Sequence, residues 1–195
     1  MADGGRELTV TDAPEIDWRY DWDEAFLAAR KNDKVLLIDV KKVDCSGCDK
    51  LDAETFPDPA VRRVFAERFI GLKLDHQDSR VRELNVVRLP TLFVVDMRGV
   101  VHYRSVNSLP PDDLLDVLDL GEAHARMKQA RHETAEALLA AALARRVDGP
   151  LTPELVYWHA IARYFAGHHD HAAREETWQR LKDDYPGSIW THRIP

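Results

Sequence analysis

The chain has 195 residues, 45% hydrophobic and 31% charged, and its 27 basic against 34 acidic side chains leave a formal charge of -7. That length can bury a core without help from a disulfide, and it suits one ordinary domain with an appendage or two small ones. The acidic balance speaks against nucleic acid as the main partner, since phosphate binding calls for a basic face, and no run approaches the ~20 apolar residues of a membrane span.

Residues 1–14 are polar, carry the adjacent Gly4 and Gly5 and show no periodicity, which predicts a loosely held arm. The opening Met1-Ala2-Asp3-Gly4-Gly5-Arg6-Glu7 lacks a basic stretch followed by an apolar one. Neither a secretory signal nor an anchor is therefore expected, and the expected location is cytoplasmic. Asp21 is placed to cap a helix from Trp22 to about Lys31, with Ala25, Phe26 and Ala29 on one face. Val35–Val40 reads as a buried strand, short, apolar and partly β-branched. Because strand side chains alternate, Asp39 shares a face with Leu37 and is a candidate buried acid.

Helix is expected over Asp49–Glu54 and, after Pro57-Asp58-Pro59, along the stripe Val61, Val64, Phe65 and Phe69. Ile70–Leu74 is a second strand, Ser79–Leu84 a short helix, and Thr91–Val95 with Val100–Arg104 a hairpin around Asp96-Met97-Arg98-Gly99. Pro110-Pro111-Asp112 opens a helix carrying Leu114, Leu115, Val117 and Leu118. Interleaved helices and strands followed by a hairpin predict an α/β fold with a mixed central sheet covered by helices. Beyond Gly121 only helices are expected: an Ala-rich stretch over Glu122–Arg146, a helix restarting at Thr152-Pro153-Glu154, and a last one from about His171 to Tyr185.

Cys45 and Cys48, the only cysteines, stand one helical turn apart in Cys45-Ser46-Gly47-Cys48, a spacing that closes a disulfide ring or opens to a dithiol. Two cysteines fall short of the four ligands of a structural zinc site, so no metal is expected. A thiolate at a helix N-terminus faces unpaired N–H groups and the positive end of the helix dipole, which favours its ionised form.

Three features in order carry a resemblance to the thioredoxin fold family: Asp39 six residues before the first cysteine, the C-x-x-C at a strand-to-helix junction, and the stretch Leu84-Asn85-Val86-Val87-Arg88-Leu89-Pro90-Thr91-Leu92. The last resembles the family segment that holds a cis-proline opposite the active site. Lys50–Val61 is similar to a subgroup in which the cysteines are followed by a Thr-Phe, Asp-Pro, Val run. The resemblance implies a thioredoxin-like domain over residues 15–120 that exchanges dithiols for disulfides, most simply by reducing protein disulfides. It implies Cys45 as attacking thiol, Cys48 as resolving thiol and Asp39 as proton acceptor. Leu89, Pro90, Ser46 and Gly47 would contact the substrate, an extended strand pairing with the Leu89 backbone. No cofactor is implied beyond a redox-active Cys45–Cys48 disulfide. The implied partners are protein disulfide substrates and a dithiol or reductase electron donor, with neither nucleic acid nor membrane. Val43-Asp44 stand where thioredoxin has a tryptophan before the first cysteine, Ser46-Gly47 replace its Gly-Pro, and Val106-Asn107-Ser108 lack the family's glycine.

Residues 121–195 form the expected helical module. Its span Glu154–Trp190 resembles one tetratricopeptide repeat through Trp158, Ala162, Phe165, Trp178 and Pro186. One repeat cannot bury its own faces, so packing on the Glu122–Arg146 helix or on the thioredoxin-like domain is expected. In that family such helices bind proteins, which keeps a second reading open: a non-catalytic thioredoxin-fold adaptor whose helical tail binds a protein partner. Trp158, Phe165, Trp178 and Trp190 are expected in the core, and His168, His169 and His171 in a solvated turn.

Overall fold

A computed structural model describes residues 13–195; of the predicted arm, residues 1–12 lie outside the described residues. The first element, β1 (Trp18–Arg19), has no counterpart in the sequence reading. Two residues carry no periodicity, and what makes them a strand is parallel pairing across the chain, Trp18 opposite Gly71 and Arg19 opposite Leu72. Gly71 permits this: a methyl group there would stand 2.7 Å from the Trp18 ring.

Helix α1 (Trp22–Asn32) starts where expected, the Asp21 carboxylate accepting the Glu24 N–H at 2.8 Å, and it buries Ala25, Phe26 and Ala29. Asp33 stops it in the left-handed conformation with φ 51°. Strand β2 (Val35–Lys41) is buried from Val35 to Val40. Since its side chains alternate, both faces of the sheet are covered at this strand.

After a loop, α2 (Ser46–Lys50) passes into a π-helical turn over Leu51–Thr55, where the regular helix was expected. In that wider turn the Phe56 N–H bonds to the Leu51 carbonyl, and Thr55 and Phe56 are both buried. Asp58 caps α3 (Pro59–Arg68) by accepting from Ala60 and Val61 N–H, with proline in the first turn where a missing N–H costs nothing. Strand β3 (Phe69–Asp75) pairs in parallel with β2, from Val35 opposite Phe69 to Lys41 opposite Asp75. Then follow α4 (Ser79–Glu83), β4 (Thr91–Val95) and β5 (Val101–Val106), giving a mixed sheet of order β1-β3-β2-β4-β5.

Helix α5 (Pro111–Lys128) runs straight through Gly121. Glycine serves close approach there, because a methyl group would stand 2.5 Å from Val94. The Ala-rich stretch is thus divided: it completes α5, breaks near Ala130 at φ 58°, and resumes as α6 (His132–Arg145). Helices α7 (Thr152–Ala166) and α8 (His171–Asp184) follow, with a 3-10 turn over Thr191–Arg193. Leu151 rather than Thr152 occupies the α7 N-cap, and no side chain caps it; Thr152 is buried.

The chain divides into two compact units, one of residues up to Phe93 with Ser105–Pro111, the other of Val94–Arg104 with Asp112–Pro195. In the first, Trp18, Phe56, Phe65 and Phe69 form a chain of ring contacts, Trp18 and Phe56 lying edge to face at 4.8 Å. In the second, Leu120, Leu139, Leu155 and Leu181 centre the core, and Trp178 is buried. Trp158 and Trp190 pack on that core, whereas Phe165 remains 39% exposed, its ring stacked on His132. His168, His169 and His171 are exposed at the α7–α8 junction, the first two with φ of 53° and 72°. No described helix is long and apolar enough to cross a membrane.

Candidate active site

Strand β2 ends at Lys41, and a short loop delivers Cys45 to the start of α2. Asp44 turns that loop with φ 56°, a left-handed conformation that aspartate tolerates better than bulkier residues do. Cys45 is the N-cap of α2, its sulfur accepting the Cys48 N–H at 3.3 Å and its carbonyl the Cys48 and Asp49 N–H groups. The cysteines are joined as a disulfide with Cα atoms 5.3 Å apart. Cys45 keeps 7% of its surface in contact with solvent and Cys48 1%, so the pair has an outer and an inner member.

The wall opposite is the Leu89-Pro90 loop, with a cis peptide bond between the two residues. Gly47 approaches it so closely that a methyl group would stand 2.8 Å from Pro90 Cδ. Glycine between the cysteines therefore removes bulk where two backbone segments meet. The loop is tied on both sides: Thr91 Oγ1 donates to the Arg88 carbonyl at 2.5 Å, and the Asn107 N–H to the Pro90 carbonyl at 2.9 Å. Asn107 has φ 78°, so an asparagine takes the left-handed position in the segment where the family's glycine is missing. Pro90 is buried, Leu89 and Gly47 are half-buried, and Ser46 is exposed.

Asp39 lies inside β2 with 1% of its surface exposed, and its Oδ1 has no hydrogen-bond partner. Burial lifts its carboxyl from the ordinary 3.8 to about 6; Lys73 opposes the rise, Asp52 adds to it and Lys41 opposes it. The parallel register places Lys73 opposite Asp39. Lys73 is ion-paired with Asp52 Oδ1, and Lys41 reaches Asp52 Oδ2 at 2.5 Å. Lys73 also lies over the Trp18 ring at 4.5 Å. For Asp52 burial works upward, but hydrogen bonds from Lys41 and Lys73 outweigh it and hold the carboxyl below its ordinary value. For Lys41 burial works downward, and the Asp52 hydrogen bond together with the charges of Asp52, Asp39 and Asp49 outweighs it, holding the ammonium above its ordinary value. One half-buried carboxylate thus occupies two lysines that would otherwise act on Asp39 alone.

Residues 17–101 match the sequence pattern of the thioredoxin-like family. This stretch is a thioredoxin-like domain. Its likeness to a solved Bacteroides thetaiotaomicron protein described as a candidate disulphide-isomerase covers 56% of this chain and 94% of that one, at 31% identity and a TM-score of 0.50. Among curated proteins, an uncharacterised Caenorhabditis elegans protein is 31% identical over 85 residues, 43% of this chain and 11% of that protein. Human spermatogenesis-associated protein 20 is 33% identical over 64 residues, 32% of this chain and 8% of that protein. The chain therefore spans about a tenth of the length of these curated relatives.

The thioredoxin-like domain brings Cys45, Cys48, Ser46, Gly47 and the Leu89-Pro90 loop to one place and buries Asp39 in the strand that leads there. Sequence reasoning missed Asp52 and Lys73. Asp52 stands one turn beyond Cys48, a spacing that could have flagged it, but Lys73 becomes relevant only through the β2–β3 register. Among the described residues no group of three or more His, Cys, Asp or Glu side chains is arranged to hold a metal ion.

Proposed function

We propose that the protein is a thiol-disulfide oxidoreductase that reduces protein disulfides through Cys45 and Cys48. The observation that carries this reading is the cysteine pair itself, closed as a disulfide at the N-terminus of α2 with its outer sulfur facing an open groove. The Bacteroides thetaiotaomicron relative, described as a candidate disulphide-isomerase, supports thiol-disulfide chemistry here.

In the reduced protein the Cys45 thiolate attacks one sulfur of a substrate disulfide. The substrate S–S bond breaks, a Cys45–substrate disulfide forms, and the departing substrate thiolate takes a proton from solvent. Cys48 then gives its proton to Asp39, directly or through water, and attacks Cys45. The mixed disulfide breaks, the second substrate thiolate is released and protonated, and the Cys45–Cys48 disulfide is left. The substrate gains two electrons and two protons, which an external dithiol or reductase restores to the protein. A carboxyl poised near pH 6 suits this task better than an ordinary one, since its proton affinity lies closer to that of the thiol it serves.

The test is dithiothreitol-driven reduction of a peptide disulfide. The wild-type protein accelerates it, Cys45→Ser abolishes the acceleration, and Cys48→Ser accumulates a mixed disulfide. A folded, reduced wild-type protein that fails to accelerate the reaction overturns the proposal. Protein partners retained after loss of both cysteines would then favour the adaptor reading.

A further inference from the structure

Beside Cys45 the first unit opens a groove of about 690 Å³. Its apolar lining comes from Val81, Val86, Val87 and Leu89. Its basic lining comes from Lys42, His76, Arg82 and Arg88, and among the described residues no carboxylate lines it. His76 is accounted for, its Nδ1 lying 3.2 Å from Asp75. Lys42, Arg82 and Arg88 are exposed and form no ion pair among the described residues. On a chain with a formal charge of -7, three cations that form no ion pair among the described residues, gathered around one nucleophile, are a local reversal of sign.

The reversal is one-sided. Across the Cys45 loop a second hollow mixes Asp44, Asp49 and Asp75 with Lys41, Lys42 and Lys73. Lys42 is shared between the two hollows and Lys41 and Lys73 are paired with Asp52, so a substrate lying over Cys45 meets net positive charge toward α4 and the Leu89 loop, and carboxylates on the other side. Cations around a cleft attract and orient an anion, and the exposure of these side chains makes the effect one of selection and encounter rate.

We propose that this groove selects protein disulfides flanked by acidic residues, seating their carboxylates against Lys42, Arg82 and Arg88 while the target sulfur meets Cys45. The inference rests on the oxidoreductase reading and adds the substrate class to it. In the exchange step the substrate disulfide breaks, the Cys45–substrate disulfide forms and the leaving thiolate is protonated by solvent. The groove cations act before that step, by holding the acidic flank.

The test is the rate of mixed-disulfide formation by reduced Cys48→Ser protein, where the reaction stops after one exchange. Three peptide disulfides of equal length are compared, with Glu, Ser or Lys flanking the cysteine. At low salt the Glu peptide is expected to react about tenfold faster than the Lys peptide, and the contrast should shrink to about twofold near 0.5 M salt. Arg82→Ala with Arg88→Ala narrows the Glu-to-Lys ratio, and Arg82→Lys with Arg88→Lys restores it. Oxidised glutathione, which bears carboxylates without an extended chain, should react more slowly than the Glu peptide. Equal rates for the three peptides overturn the groove assignment while leaving the oxidoreductase reading intact, and so does a ratio untouched by the double alanine change. Glutathione reacting as fast as the Glu peptide overturns the assignment to a protein segment. Failure of all disulfides to react overturns the oxidoreductase reading and the groove with it.

Discussion

Asp39 in the thioredoxin-like domain and Asp116 in the helical unit are both buried acids whose carboxyls burial lifts above the ordinary value, yet their surroundings differ. Asp116 receives Arg145 Nη2 at 2.7 Å, and the same guanidinium gives its Nη1 to Asp119 at 2.7 Å. Each carboxyl leaves one oxygen without a hydrogen bond, Oδ2 of Asp116 and Oδ1 of Asp39, but the lysines that act on Asp39, Lys41 and Lys73, are engaged with Asp52 instead. A carboxylate that holds helices together is paired and kept charged. One left short of partners can change its charge at modest cost, which is what a proton acceptor needs.

That contrast can be broken from either side. The largest expected effect is on stability in the helical unit: Arg145→Ala removes the guanidinium that bonds to both Asp116 and Asp119 and should cost about 3 kcal/mol in chemical denaturation. The value sits at the low end for a broken buried pair because Arg145 is itself about one-third exposed.

Asp39→Asn should act in the opposite sense on stability and lower the activity. Resolution of the mixed disulfide should slow by about 100-fold, and the acid limb of the wild-type pH–rate profile near pH 6 should vanish. The raised carboxyl binds its proton more tightly in the folded protein than in the unfolded one. Its contribution to stability is therefore fully present below pH 3.8 and is lost as pH rises through about 6. Asn removes that loss, so the variant should gain about 2 to 3 kcal/mol over wild type at pH 7 and nothing at low pH. Equal pH–stability curves for the two proteins would sink this account.

A smaller effect tests packing in place of charge. Gly121→Ala forces a methyl group against Val94 and should cost about 2 kcal/mol in denaturation experiments, with Cys45 chemistry as the control. Smallest is Asp52→Asn, which frees Lys41 and Lys73 to favour ionised Asp39. The acid limb of resolution should move to lower pH, with a stability loss of about 1 kcal/mol because Asp52 is partly exposed. A limb that moves upward would contradict the assigned charge balance.

Much of the first unit was legible in the chain because its signals are local. Asp21 announces a helix start, the apolar run Val35–Val40 announces the central strand, and the Cys45–Cys48 spacing announces a closable ring. The reading failed where distant partners decide. β1 exists only through pairing with β3, and Gly121 looks like a breaker until Val94 is seen against it.

By itself the sequence determined the order of elements, the candidate thiols and the acid in the strand before them, since propensity, capping and spacing act over a few residues. Only the tertiary structure decided what surrounds them. Placing Lys73 opposite Asp39, tying two lysines to Asp52 and gathering Lys42, Arg82 and Arg88 around Cys45 depend on strand register and chain crossing. Desolvation and charge act through space, so the chemistry of these groups is set by neighbours that lie far away along the chain.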